Sequence, residues 1–223
     1  MTEHSIQLEA HRPITKGLFS TSANVALHGV YEISKILAVP ARLEMTLANV
    51  MALLSSFLEM RHGLIVLFDD LGGTEIVTGP GWQEANAKNY FDALPERAIG
   101  QIYTTRLPLV VEDVRSHVLF REWATSEWAD SEHPISFIGV PIKDRDKIIG
   151  AITIDRVIEG PERYSADEDV RFLVMIANLI GQTVRLQKVV LRDRERLMAE
   201  QARLSKELSA DACTYCLYQI KCI

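Results

Sequence analysis

The stretch "FIGVPIKDRDKIIGAITIDR", residues 137–156, is two short apolar runs joined by charged residues. Branched and aromatic side chains fill both runs, and "DRDK" between them has the composition of a turn, so the stretch predicts a β-hairpin. Alternation along a strand puts Ile138, Val140 and Ile142 on one face and Phe137, Gly139, Pro141 and Lys143 on the other. A turn with an even number of residues adds Ile148, Gly150, Ile152 and Ile154 to the second face. An odd turn adds Ile149, Ala151, Thr153 and Asp155 instead. In either register the first face is apolar enough to lie under helices. The second keeps a glycine where side-chain volume is missing, and is expected to be the hollow one.

Outward from the hairpin, the spacing of apolar residues changes. Ile33, Ile36 and Leu37, then Leu43, Leu47, Val50, Met51, Leu54, Phe57 and Leu58, recur every three or four residues, which predicts two helices divided at Pro40. "LIVLFDD" and "EIVTGPGW", separated by "LGGT", read as a second hairpin. Residues 83–106 read as helix in two pieces divided at Pro95, "LPLVVEDV" as a further strand, and "FREWATSEWADSEHP" as a polar connection. From a Ser165 cap, with Asp167, Glu168 and Asp169 in the first turn, a helix runs some forty residues without proline. Its second half keeps only Val190, Leu197, Leu204 and Leu208 as an apolar stripe, a spacing suited to pairing with another helix. The fold class is therefore α+β: an antiparallel sheet of five or six strands, helices packed on one face and a long C-terminal helix.

Composition narrows the function. A net charge of −6 offers no general attraction for nucleic acid, and the apolar runs stop short of the roughly 20 residues that a membrane span needs. "MTEHSIQLEAHRPITKG" has charges where a signal peptide is apolar, which gives a cytoplasmic address. All three cysteines, Cys213, Cys216 and Cys222, lie in the last eleven residues, so the main domain has neither a disulfide framework nor a thiol nucleophile. Cys213-x-x-Cys216 with Cys222 falls short of the four ligands of a closed metal site. The histidines at 4, 11, 28, 62, 117 and 133 are scattered singly. No metal site and no enzymatic activity are expected.

The segments "VYEISKIL", "TLANVMALLSSFLEMRHGLIVL", "AIGQIYTTRLPLVVEDV", the hairpin and "FLVMIANLIGQTVRLQ", spread over residues 30–187, together resemble a GAF domain. More narrowly, they are similar to the N-terminal sensor domain of NifA-type activators of nitrogen-fixation genes. The resemblance implies a domain that restrains or releases an ATPase acting on the sigma-54 form of RNA polymerase, according to nitrogen status. It implies as partner a PII-type signalling protein or an anti-activator, with 2-oxoglutarate or another small ligand as the possible effector, and dimerisation through the C-terminal helix. No G-x-x-x-x-G-K-[ST] loop occurs in the chain, so the ATPase domain itself is not part of it. The alternative is a stand-alone GAF domain of another signalling protein, binding a metabolite such as 2-oxoglutarate or a nucleotide.

The expected organisation is a flexible tail at residues 1–24, the sensor domain at 25–187, a signalling coiled-coil helix at 188–210 and a cysteine-containing tail of uncertain origin at 211–223. The candidate ligand pocket lies on the sheet face opposite the terminal helices. Its expected lining is Trp82, Arg97, Tyr103, Arg106, Arg121, Trp123, Phe137, Gly139, Lys143 and Thr153, with the cations serving an anionic ligand.

Overall fold

The computed structural model describes residues 16–92, 94–121, 131–158 and 166–220; the side chains of residues 16–23, 92 and 207–220 are left out of the description. Ser165, Trp123 and Trp128 lie outside these ranges.

Two helices, α1 (Lys16–Ala38) and α2 (Leu43–Phe57), flank Pro40 and are followed by the hairpin β1 (His62–Phe68) and β2 (Thr74–Thr78). The first turns of α1 fall within the stretch that the sequence pattern marks as tail. A single 3-10 turn (Glu84–Asn86), α3 (Ala87–Asp92), α4 (Glu96–Thr105) and β3 (Leu109–Val111) come next. A second 3-10 turn (Val118–Phe120) precedes β4 (Ile135–Asp144) and β5 (Lys147–Val157), and α5 (Asp167–Ile220) completes the chain. The five strands form one antiparallel sheet in the order β2-β1-β5-β4-β3. Thus the opening hairpin supplies two of the three inner strands.

Helices α1, α2 and α5 bury their apolar stripes on one face of this sheet. Leu47, Val50, Met51 and Leu54 of α2, with Phe172, Leu173, Ile176 and Ile180 of α5, meet Ile65, Ile138, Val140, Ile142, Ile152 and Ile154 in one core. This is the face assigned to Ile138, Val140 and Ile142 by alternation. Fully burying a side chain of this size contributes about 1.5–3 kcal/mol, so this layer dominates the favourable side of folding.

The register of the hairpin follows neither simple alternative along its whole length. Asp144 pairs with Lys147 across the two-residue turn Arg145-Asp146, with Arg145 in the left-handed region at φ 55°, which is the even case. The ladder then shifts between Ile142 and Lys143, leaving Ile149 as an extra residue. Beyond that bulge Gly139 pairs with Thr153 and Phe137 with Asp155, as the odd case requires. One extra residue is enough to exchange the two faces of a strand.

Helix α5 is continuous for 54 residues. Asp167, Glu168 and Asp169 occupy its first turn, where carboxylates oppose the positive end of the helix dipole. Val184 is its last buried residue among those described. Cys213 and Cys216 fall within the helix, with their side chains outside the description.

Candidate functional site

Three rows read across the strands make up the centre of the second sheet face. His62, Asp155, Phe137 and Val111 form one; Leu64, Thr153, Gly139 and Leu109 form the next; Val66, Ala151 and Pro141 form the third. Small residues therefore occupy the middle of this face. Over them lies α4, whose acidic first residue Glu96 and buried Ala98, Ile99 and Ile102 give it an outer polar and an inner apolar side.

Ile102 fills the notch above Gly139. A Cβ built on Gly139 would run into the Ile102 Cδ1 atom and would touch the Phe137 ring at 3.2 Å. The expected face is right, since neither α1 nor α5 covers it, but its centre is not hollow. The sequence shows the missing volume at Gly139; it does not show that a helix some forty residues earlier supplies the side chain that fills it. Ala98 packs with Val111, Val114, Phe120, Ile135 and Phe137, and the Phe120 and Phe137 rings meet edge-on with centroids 4.8 Å apart.

One charged residue is buried among the described residues, and it lies on this face. Asp155 is 3% exposed, and its Oδ2 is 3.1 Å from Nδ1 of His62, whose side chain is 44% exposed. Burial raises the Asp155 carboxyl above its ordinary pKa; the hydrogen bond and charge of His62, and the more distant Arg61, pull it back less strongly. Sequence reasoning places Asp155 on this face only for the odd register. It has no means of pairing Asp155 with His62, which is 93 residues away along the chain.

The expected lining residues do not form a single site. Phe137 and Thr153 are buried side by side with Gly139 between them across the strands. Tyr103 is 43% exposed and stands edge-on to Phe68, 5.3 Å between centroids, toward the opposite end of β1 from His62. Arg97 lies on the exposed side of α4 and Arg106 caps that helix in the left-handed conformation at φ 59°. Arg121 and Lys143 are exposed as well. With these four cations exposed, no cationic group is buried on the face among the described residues. Trp82 is 7% exposed and its indole Nε1 has no hydrogen-bond partner among the described residues. The segment around it is held by Tyr90 Oη donating to the Pro80 carbonyl at 2.6 Å and Asn86 Nδ2 donating to the Gly81 carbonyl at 3.1 Å. No group of three or more His, Cys, Asp or Glu side chains suited to a metal ion occurs among the described residues, and no described helix is long and apolar enough to cross a membrane.

Comparison with known proteins matches this arrangement to one family. The GAF domain model fits residues 42–184, from the start of α2 to the last buried turn of α5. A Nif-specific regulatory protein of Azorhizobium caulinodans is 50% identical over 188 residues, covering 84% of this chain and 31% of that protein. One of the same description from Bradyrhizobium diazoefficiens is 44% identical over 183 residues, covering 82% of this chain and 31% of the relative. The chain thus spans about a third of the length of these relatives. The crystal structure of the A. Aeolicus nlh2 GAF domain in an inactive state superposes with a TM-score of 0.58 at 22% identity, covering 74% of this chain and 99% of that one. Sheet order, helical layer and sequence agree, and the chain belongs to the GAF domain family.

Proposed function

We propose that this chain is the non-enzymatic sensor domain of a Nif-specific transcriptional regulator. In this reading it controls a sigma-54-dependent ATPase that lies outside the chain, in response to nitrogen status. The observation that carries the reading is the 50% identity to a Nif-specific regulatory protein, which extends over 84% of the chain. The reading makes the protein cytoplasmic and makes α5 its output. Leu186, Val190, Leu197 and Leu204 are all exposed on that helix, and pairing with a second copy would cover them.

The input is a protein partner of the PII type. The sheet face supports this choice over an anionic metabolite such as 2-oxoglutarate. Its notch holds Ile102, and among the described residues it buries no cation to meet a dianion. Calorimetric titration of the chain with a PII-type protein, in the presence and absence of nitrogen-status effectors, tests the input. Binding that depends on the effector is expected; no heat under any condition would remove the partner.

The second reading, direct binding of a small ligand, is favoured by one observation. The Trp82 indole N–H is buried without an acceptor among the described residues, a cost of about 1–3 kcal/mol that a ligand acceptor would relieve. A panel of metabolites including 2-oxoglutarate and nucleotides, screened by shift in melting temperature, separates the two readings.

A further inference from the structure

Consecutive residues of β5 serve opposite faces of the sheet. Asp155 lies on the side of Phe137 and Gly139 and meets His62 Nδ1 at 3.1 Å. Arg156, turned to the helical side, meets Asp169 in the first turn of α5 at 2.7 Å, with the two side chains 15% and 18% exposed. Two polar pairs thus share one peptide of one strand, and the second pair grips the start of the output helix.

We propose that the His62–Asp155 pair is a proton-linked switch whose state reaches α5 through the adjacent Arg156–Asp169 ion pair.

The groups facing Asp155 make its charge state consequential. From the β1 side come two basic residues, His62 in contact and Arg61 farther off, while the Arg61 amide donates to the Asp155 carbonyl at 2.8 Å. From β4 comes Phe137, an apolar wall with Ala98 of α4 packed in the same cluster. The half-exposed His62 ring is the route by which a proton exchanges with solvent. With Asp155 ionised, Nδ1–H donates to the carboxylate. With Asp155 protonated, the carboxyl either donates to an unprotonated Nδ1 or accepts from a protonated one only through its neutral carbonyl oxygen, a weaker bond than the charged pair makes. The two states pull differently on the end of β5, and any rotation or shift of the Asp155–Arg156 peptide moves the guanidinium that holds Asp169. Neither step needs a nitrogen-status partner, so this switch can be right or wrong independently of the proposed input.

The sign follows from burial, which favours the neutral carboxyl. Because the folded Asp155 holds its proton above the unfolded value, its contribution to stability is present below that unfolded value and is lost as pH rises through the folded pKa.

The test is an NMR titration of the full 223-residue chain. Asp155 Cγ and the His62 ring are followed against pH, with amide protection measured for residues 167–176 at the same points. The expected result is a several-fold change in protection at the start of α5, with the midpoint of the Asp155 titration and above the ordinary aspartate range. Asp155→Asn should abolish that change, and Asp169→Asn should leave the Asp155 titration in place while removing the response of the helix. The proposal is overturned if Asp155 titrates at its ordinary value, or if protection in α5 does not follow its midpoint. Persistence of the response in Asp155→Asn or Asp169→Asn would overturn it too. The coincidence of midpoints is measured on the unmodified chain and needs neither variant to fold.

Discussion

Gly139 and Gly181 are both closely covered, by atoms of very different freedom. Above Gly139 lies the terminal methyl group of Ile102, which can rotate aside; against Gly181 lies the backbone carbonyl of Lys143, which cannot move without the sheet. Gly139→Ala is therefore expected to cost about 1 kcal/mol, at the low end for overpacking, with much of it recovered in the double variant with Ile102→Val. Gly181→Ala should cost about 3 kcal/mol or more, even though alanine is preferred over glycine in a helix by about 1 kcal/mol. Denaturant unfolding of the three variants checks the order, and equal costs at the two glycines would contradict the packing described. Little of this was legible in advance. Gly139 could be identified as missing volume because it interrupts an apolar strand, whereas its neighbour Ile102 comes from a separate helix. The partnership of His62 and Asp155 depends likewise on the β1–β5 register, which no local pattern encodes.

At the scale of elements, local chemistry is the better guide. Apolar spacing places α1 and α2 on either side of Pro40, and alternation correctly assigns Ile138, Val140 and Ile142 to the helical layer. The bulge at Ile149 is what local chemistry leaves open: a two-residue turn fixes the register beside it, and the register changes at the third residue after that turn. Strand β5 must therefore be treated as two segments with different inward faces. Deleting Ile149 removes the extra residue and joins the two ladder segments, so Asp155 is expected to keep its place opposite Phe137 and Ile154 its place in the helical core. Cooperative unfolding by circular dichroism is expected to be retained, at a cost of about 1.5–3 kcal/mol for the lost burial of Ile149, and loss of cooperativity would show that Ile149 is more than an extra residue.

For the whole molecule, the proposed pairing rests on the projecting half of α5. Leu197 is 71% exposed and stands seven residues from Val190 and from Leu204, 57% and 47% exposed. Leu197→Asp should dissociate a pair held along that stripe without lowering the melting temperature of the globular part, because no described core cluster includes Leu197. Sedimentation velocity distinguishes the species, and an unchanged mass would remove α5 as the contact. From Val184 to Ile220 the helix continues for 36 residues, which at about 1.5 Å per residue is roughly 54 Å beyond its last buried side chain among those described. Besides its apolar packing on the sheet, the fixed end meets the sheet, among the described residues, where Arg156 pairs with Asp169, where the Lys143 carbonyl lies against Gly181, and where the Asp144 carboxylate stands 3.7 Å from Arg185. Such an arrangement works as a mechanical lever with its fulcrum on the sheet. A tilt of a few degrees at those clamps, too small to disturb the core, sweeps the far end through several ångströms, so the length of the helix multiplies the movement of a rigid domain.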